Sequence, residues 1–278
     1  MFNINCHGKM KLFEGPAVMG ILNITPDSFY EGHLSDSADA IADRAGQMLD
    51  EGADILDIGG QSTRPGSERL GADEELARIM PALQSIRARF PGALISVDTY
   101  HSEVARVAVE AGADIINDIS FGEMDPAMIA TVSALRVPYI GMHMKGRPEN
   151  MQDHAAYDNV SVEVLDYLVR RTEYCQRSGI NDLIIDPGFG FGKTIGHNFA
   201  LLNNLASLKI LGKPVLVGLS RKSTIYKTLG IGPGDSLNGT TVMHTLALLH
   251  GADILRVHDV REAVQVIRLM DAYKKAAR

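Results

Sequence analysis

Three stretches of the chain repeat one pattern of polar and apolar positions: EGADILDIGG (51–60), AGADIINDIS (111–120) and HGADILRVHD (250–259), with SGINDLIIDPG from residue 178 as a looser copy. In each, a segment with helical spacing ends in glycine, a short turn follows, and an unbroken apolar run comes next. Glycine ends a helix in the left-handed conformation, and an unbroken apolar run reads as a strand buried on both faces. Helix then strand, repeated, predicts parallel βα units. Further apolar runs predict strands at 17–22, 94–97, 137–142 and 214–219. Segments of helical period predict helices over 37–51, 72–90, 102–111, 126–135, 160–178, 197–208, 236–250 and 259–276. Eight of each in alternation predict an α/β chain with a (β/α)8 TIM barrel as a single domain over 17–278. Residues 1–16 stand outside the pattern as an N-terminal extension able to form a hairpin at the barrel bottom. A doubly wound sheet is the alternative, but its glycine-rich turn after the first strand is replaced by NITPDSF. Pro81, inside the second helical segment, predicts a kink or a split there.

Charge and composition narrow the function classes. The formal net charge is −7 over 278 residues and no run of five Lys or Arg occurs, which argues against nucleic acid or an anionic membrane as partner. The start, MFNINCHGKMKLF, does not read as a signal peptide, and no apolar stretch reaches membrane-spanning length. Two cysteines, Cys6 and Cys175, make no disulfide framework. These features predict a soluble cytoplasmic protein.

In a barrel of this kind chemistry sits at the carboxyl ends of the strands. Taken in order, those ends present Asn23, the run Gly59 to Arg64, Asp98, Asn117 with Asp118, His143, Asp186, the run Ser220 to Ser223, and Arg256 with His258. One such residue reads as a cap, whereas eight converging sets read as a site. Strand alternation puts Arg256 and His258 on one face and turns Asp118 away from Asn117, toward the helices and a structural role. Of the neighbours Arg221 and Lys222, the spacing lets one long cation reach inward and favours Lys222. DPGFGFGKT (186–194) directly follows an apolar run: a strand-end carboxylate, three glycines that let backbone approach a ligand, and the flat surfaces of Phe189 and Phe191. That combination suits a flat ring with a polar edge; a strand-to-helix turn capped by Asp186 is the structural alternative.

Asp98, Asn117, Asp186 and Lys222 supply donors and acceptors for a nitrogen heterocycle, since a carboxylate facing an amino-amidine edge makes two charge-assisted hydrogen bonds. Arg64, Arg256, His258 and Asn23 make a cationic, polar rim that suits phosphate. No HExxH, cysteine cluster or paired histidines at metal spacing occur, which argues against a protein-built zinc site. The loops 25–36 and 61–71 are long for barrel turns and read either as lids or as ordinary surface loops.

NITPDSF, DIGGQSTRPG, SVDT, INDIS, MHMKGRP, DPGFGFGKT, GLSRKS and RVHDV, in this order over nearly the whole chain, closely resemble the dihydropteroate synthases of folate biosynthesis. The resemblance implies condensation of (7,8-dihydropterin-6-yl)methyl diphosphate with 4-aminobenzoate to 7,8-dihydropteroate and diphosphate, with Mg²⁺ assisting, sulfonamides competing with the arylamine, and a homodimer. It implies that Asp98, Asn117, Asp186 and Lys222 hold the pterin, and that Asn23, Arg64, Arg256 and His258 hold the diphosphate, Asn23 through the metal. Thr63, Phe29, Pro65, Phe191, Lys222 and Ser223 would border the aminobenzoate, and Asp98, Lys222, Arg256 and Asn23 would carry the chemistry. The chain departs from the common pattern at Gln61, where many relatives have Glu, and at Tyr30 to His33 in the first loop. Competing readings are a methyltetrahydrofolate–corrinoid methyltransferase on the same barrel, a Schiff-base aldolase using Lys222, and a catalytically silent pterin-binding scaffold.

Overall fold

The unbroken apolar runs become the strands of one parallel barrel in the computed structural model, which describes residues 1–24, 38–61 and 69–276. An antiparallel hairpin, β1 (Phe2–Cys6) and β2 (Lys9–Phe13), precedes it. The barrel strands are β3 (Ala17–Asn23), β4 (Ile55–Gly59), β5 (Leu94–Asp98), β6 (Ile115–Asp118), β7 (Tyr139–Met142), β8 (Leu183–Asp186), β9 (Leu216–Val217) and β10 (Ile254–Val257). They pair in parallel in the order β8-β7-β6-β5-β4-β3-β10-β9. A bridge between Ile185 and Val215, with the Ile185 N–H donating to Pro214 O at 3.0 Å, closes the ring between β8 and β9.

Helices α1 (Ala38–Glu51), α2 (Ala72–Arg89), α3 (Ser102–Glu110), α4 (Met128–Leu135), α5 (Val160–Arg177), α6 (Ile195–Asn203), α7 (Ser223–Leu229), α8 (Leu237–Leu249) and α9 (Val260–Ala276) follow the strands. The glycines of the repeated phrase, Gly52, Gly112, Gly179 and Gly251, take positive φ (102°, 105°, 90° and 94°), as helix ends of this kind require. Among the described residues no helix is long and apolar enough to cross a membrane.

The helices differ from expectation in three places. Pro81 does not split α2, which runs unbroken from Ala72 to Arg89. Ile79, Ala82, Leu83 and Ile86 are buried on both sides of the proline, and that packing outweighs its helix penalty of about 3 kcal/mol. The segment 197–208 is not one helix: α6 begins at Ile195, capped by Thr194, whose hydroxyl accepts from His197 N–H, and a 3-10 turn over Leu205–Leu211 follows it. The seven-residue α7 was not among the predicted helices, because STIYKTL is too short to establish a period before Gly230 ends it.

Strand alternation divides the interior into two layers. Outward-facing residues such as Val18, Leu56, Val97, Ile116, Ile185 and Leu255 pack with the helices into the larger core. Inward-facing Ala17, Met19, Ile55, Ile115, Ile140, Ile184, Leu216 and Ile254 form a second cluster with Ile4, Cys6 and Phe13 of the hairpin. The hairpin thus stoppers the amino end of the barrel with apolar side chains. Two positions further along the same strand faces stand Asp57, Asn117, Asp186 and Arg256, after Ile55, Ile115, Ile184 and Ile254. The barrel bore is therefore greasy at the bottom and charged at the top.

Candidate functional site

At the carboxyl end of the barrel, charged side chains from several strands meet in a largely dry environment. Arg256 of β10 reaches across the bore, donating from Nε to Asp57 Oδ2 at 2.6 Å and from Nη2 to Asp98 Oδ2 at 2.7 Å. Asn117 Nδ2 donates to the same Asp57 oxygen at 3.2 Å. Asp57 is fully buried, Asp98 9 % exposed and Asn117 5 % exposed. Burial pushes Asp98 up to about 7; Arg256 pulls it down, and the carboxylates of Asp57, Asp118 and Asp186 push it up again. The second oxygen of Asp57, Oδ1, is buried without a hydrogen-bond partner.

Asp186 ends β8, where its Oδ1 accepts the Gly188 N–H at 2.7 Å. Burial raises its pKa above the ordinary carboxylate value, and the charge of Lys222 opposes that rise most strongly. Beyond Asp186 the chain turns through GFGFG without regular structure, so its carbonyls need side-chain donors. All five have one: Lys193 Nζ donates to Gly188 O (2.8 Å) and Phe191 O (3.1 Å), Lys222 Nζ to Phe189 O, Gln152 Nε2 to Gly190 O (3.0 Å) and Tyr157 Oη to Gly192 O (2.9 Å). Gly188 has φ +70°, and a Cβ there would stand 1.8 Å from His143 O, so no other residue fits.

Of the neighbouring cations Arg221 and Lys222, it is Lys222 that enters the bore. Its amine lies 4.8 Å from the centre of the Phe191 ring, and its pKa falls to about 8, chiefly through burial, with Asp186 working against that fall. Arg221 turns away and makes a two-pronged pair with Asp259, Nε to Oδ2 and Nη2 to Oδ1, both at 2.8 Å. Arg221 holds φ +54°, a costly conformation for a non-glycine residue, which that pair and the Arg221 N–H to Thr240 Oγ1 bond (3.1 Å) offset. The turn therefore presents Lys222 and Ser223 in succession, with Ser223 opening α7.

His258 sits where Ser220 Oγ accepts its backbone N–H at 3.2 Å and lies 3.1 Å from its Nδ1. Burial first, and the positive charge of Arg256 next, push the imidazole down to about 4. Within the polar, cationic rim His258 is held in its neutral form, and Arg256 sits between the carboxylates of Asp57 and Asp98. Asn23 ends β3 on the same rim, where its Oδ1 and Asp98 Oδ2 each lie 3.8 Å from the point a Cβ on Gly59 would occupy. A glycine at 59 thus leaves open a gap flanked by a carboxamide oxygen and a carboxylate. Among the described residues no group of three or more His, Cys, Asp or Glu could hold a metal by itself.

An apolar wall stands beside these groups: Tyr100, Ile119, Met142, Met144, Met151 and Phe191 form a separate buried cluster at the carboxyl end. Asp118 points toward the helices, as alternation predicts. Its Oδ1 accepts from Ser120 N–H and Oγ, and its Oδ2 from Gly122 N–H and Tyr139 Oη, all at 2.7 Å. Phe29, Thr63, Arg64 and Pro65 lie outside the described residues, as do Tyr30 to His33. Gln61 is described, and its Oε1 accepts from Leu70 N–H at 2.8 Å and from Tyr100 Oη at 3.2 Å, which ties the two flanks of the second loop together.

Two members of this constellation were not singled out from the sequence. Asp57 had a signal: it is the one acidic residue in the apolar run ILDIG and shares its face with Ile55. Lys193 had none beyond its place after the third glycine.

The model of the family described as pterin binding enzyme matches residues 19–258. The dihydropteroate synthase of Escherichia coli (strain K12) is 42% identical over 259 residues, which cover 92% of this chain and 91% of that protein. Among solved structures, that of the Yersinia pestis dihydropteroate synthase with a sulfonamide drug complex superposes with a TM-score of 0.93 at 37% identity, covering 99% of this chain and 100% of that one. The Xanthomonas albilineans dihydropteroate synthase in complex with 7,8-dihydropteroate superposes with a TM-score of 0.86 at 39% identity, covering 98% of each chain.

Proposed function

The chain belongs to the pterin-binding enzyme family, and from that membership we propose that it is a dihydropteroate synthase, joining (7,8-dihydropterin-6-yl)methyl diphosphate to 4-aminobenzoate with release of diphosphate. The observation that carries the reading is the meeting of Asp98, Asn117, Asp186 and Lys222 within one dry barrel mouth beside an apolar wall. An anionic carboxylate at that depth suits the amino-amidine edge of a pterin, with each charge-assisted bond contributing roughly 1.5–3 kcal/mol. Asn117 supplies the paired donor and acceptor of a carboxamide, and Lys222 a donor from the opposite side. Phe191 and Met142 flank the ring faces.

In the reaction the methylene C–O bond breaks and its electron pair leaves with the diphosphate. The arylamine nitrogen then attacks the methylene carbon and loses a proton. Asp98 contributes a fixed negative charge beside the cationic methylene, Arg256 keeps that charge ionised and in place, and His258 with Ser220 offers neutral hydrogen bonds to departing oxygens. Arg64 is assigned to the diphosphate as well. Asn23 and Asp98, across the gap at Gly59, offer hard oxygen donors and would be the residues to hold Mg²⁺. Mg²⁺, when bound, neutralises charge on the leaving group. Ser223 and Phe191 border the aminobenzoate, together with Phe29, Thr63 and Pro65. A cytoplasmic homodimer is part of the same proposal, and the apolar side chains exposed on α8 and α9, Val242, Leu249, Leu269 and Tyr273, support the dimer.

The deciding experiment is diphosphate release from the dihydropterin diphosphate with Mg²⁺, with and without 4-aminobenzoate. Release that requires the arylamine and matches dihydropteroate mole for mole is the expected result. Pterin binding without turnover would instead identify a silent scaffold.

Two predictions arise here. A sulfonamide is expected to raise the apparent KM for 4-aminobenzoate without changing the maximal rate; inhibition that excess 4-aminobenzoate does not relieve would remove the aminobenzoate assignment. The second concerns pH. Asp98 loses its proton near 7 and Lys222 near 8, so the ionised carboxylate and the ammonium coexist most fully between those values. Affinity for 6-hydroxymethylpterin, which carries no titrating diphosphate, should therefore rise from pH 6 to 7 and fall again above 8. Calorimetric titration at half-unit steps checks this, and a flat profile from 6 to 9 contradicts it.

A further inference from the structure

Lys193 is buried to 3 % exposure, yet its amine has polar partners on all sides: His143 Nδ1 at 2.9 Å, Gly188 O at 2.8 Å, Phe191 O at 3.1 Å and His143 O at 3.5 Å. Burial holds its pKa well below the ordinary lysine value, against the pull of Asp186, and even the neutral amine has an N–H donor for each of the two nearest carbonyls. His143 can accept because burial, and next the charge of Lys193 itself, drive its imidazole to the neutral form. The two carbonyls bracket the segment whose central carbonyl, Phe189 O, receives Lys222 Nζ, and the second belongs to Phe191, whose ring lies beneath that same amine. Gln152 and Asn198 hold Gly190, and Tyr157 holds Gly192, whereas Gly188 O and Phe191 O are tied together through Lys193 and the internal Phe191 N–H to Gly188 O bond at 3.2 Å.

We infer that Lys193 is a positioning residue for the pterin-binding reaction: by pinning Gly188 O and Phe191 O against His143, it sets the place of Phe189 O and the Phe191 ring, and through them the place of Lys222. This rests on the proposed function. The energetic logic is that a buried amine is retained where it replaces several missing backbone partners at once. A loop without it would have to rotate carbonyls toward each other or admit water, and either change moves the seat of Lys222.

The test is a double-mutant cycle read as the dissociation constant of 6-hydroxymethylpterin, with thermal melting as the check on folding. Lys193→Met should weaken binding more than fivefold. Combined with Lys222→Met, it should cost less than the product of the two separate factors, because its effect passes through Lys222. A change of fivefold or less, or a combined factor equal to or above that product, overturns the inference, since a loss of general packing would act independently of Lys222. If Lys193→Met does not fold, Lys193→Gln, which keeps two donors on a shorter stem, carries the same cycle. Absence of pterin binding by the unaltered protein would instead refute the functional reading itself, and the inference would fall with it.

Discussion

Asp186→Asn is expected to weaken binding of 6-hydroxymethylpterin by roughly a hundredfold to a thousandfold while leaving the barrel folded. In the proposed pterin site the carboxylate would face a pair of ring donors, and the amide would remove the negative charge and point one N–H₂ group at a donor. Two charge-assisted bonds become one neutral bond and one mismatch, a loss of about 3–4 kcal/mol. The free protein, in contrast, has little to lose. The Gly188 N–H to Asp186 Oδ1 bond at 2.7 Å survives with a carboxamide oxygen, and removing a buried charge relieves the desolvation that raises the pKa of Asp186. Thermal stability without ligand should therefore stay level or rise. Calorimetry and melting on the same sample check both halves, and an affinity within threefold of the unaltered protein would remove Asp186 from the pterin site.

Arg256→Met is expected to cost about 3 kcal/mol of stability at pH 8 and to abolish turnover. The guanidinium is the shared partner of Asp57 and Asp98, and removing one member of a buried ionic set leaves the others uncompensated. The pH dependence has a definite sign. Asp98 already titrates near 7 with Arg256 in place, and without it the folded-state value moves higher. A carboxyl group whose folded pKa lies above its unfolded one binds more protons when folded, so the fold is favoured at low pH and loses stability as pH rises through that window. The deficit of the variant should thus be larger at pH 8 than at pH 5.5, as read by urea unfolding at each. An equal deficit at both would mean that the methionine acts by packing, not by orphaning the carboxylates.

The barrel was legible because fully buried parallel strands leave a strong trace: apolar runs, four of them preceded by a helix-ending glycine. What crosses between strands was less legible. Asp98, Asn117, Asp186 and Arg256 could be placed by counting alternate positions, but no spacing rule shows that Arg256 donates to both Asp57 and Asp98. The charge state of His258 was hidden as well, since burial bears on it first and the charges of Arg256, Arg221 and Lys222 after it. Local rules failed where tertiary packing overrode them, as at Pro81, and where an element was too short to show a period, as at α7. Lys193 illustrates the remaining gap: its role depends on two carbonyls, Gly188 O and Phe191 O, that only the folded loop brings together.

The closure of the ring has a mechanical consequence. The strand β9 is two residues long, and the ring is shut between β8 and β9 by a single bridge at Ile185 and Val215. Asp186 stands on one lip of that seam, and the turn carrying Lys222 leaves from the other. Local opening should begin where the fewest backbone bonds must part. A ring gripped by Asp186 on one lip and Lys222 on the other would therefore act as a weld, so the ligand supplies across the seam part of the cohesion that elsewhere in the barrel comes from the ladder.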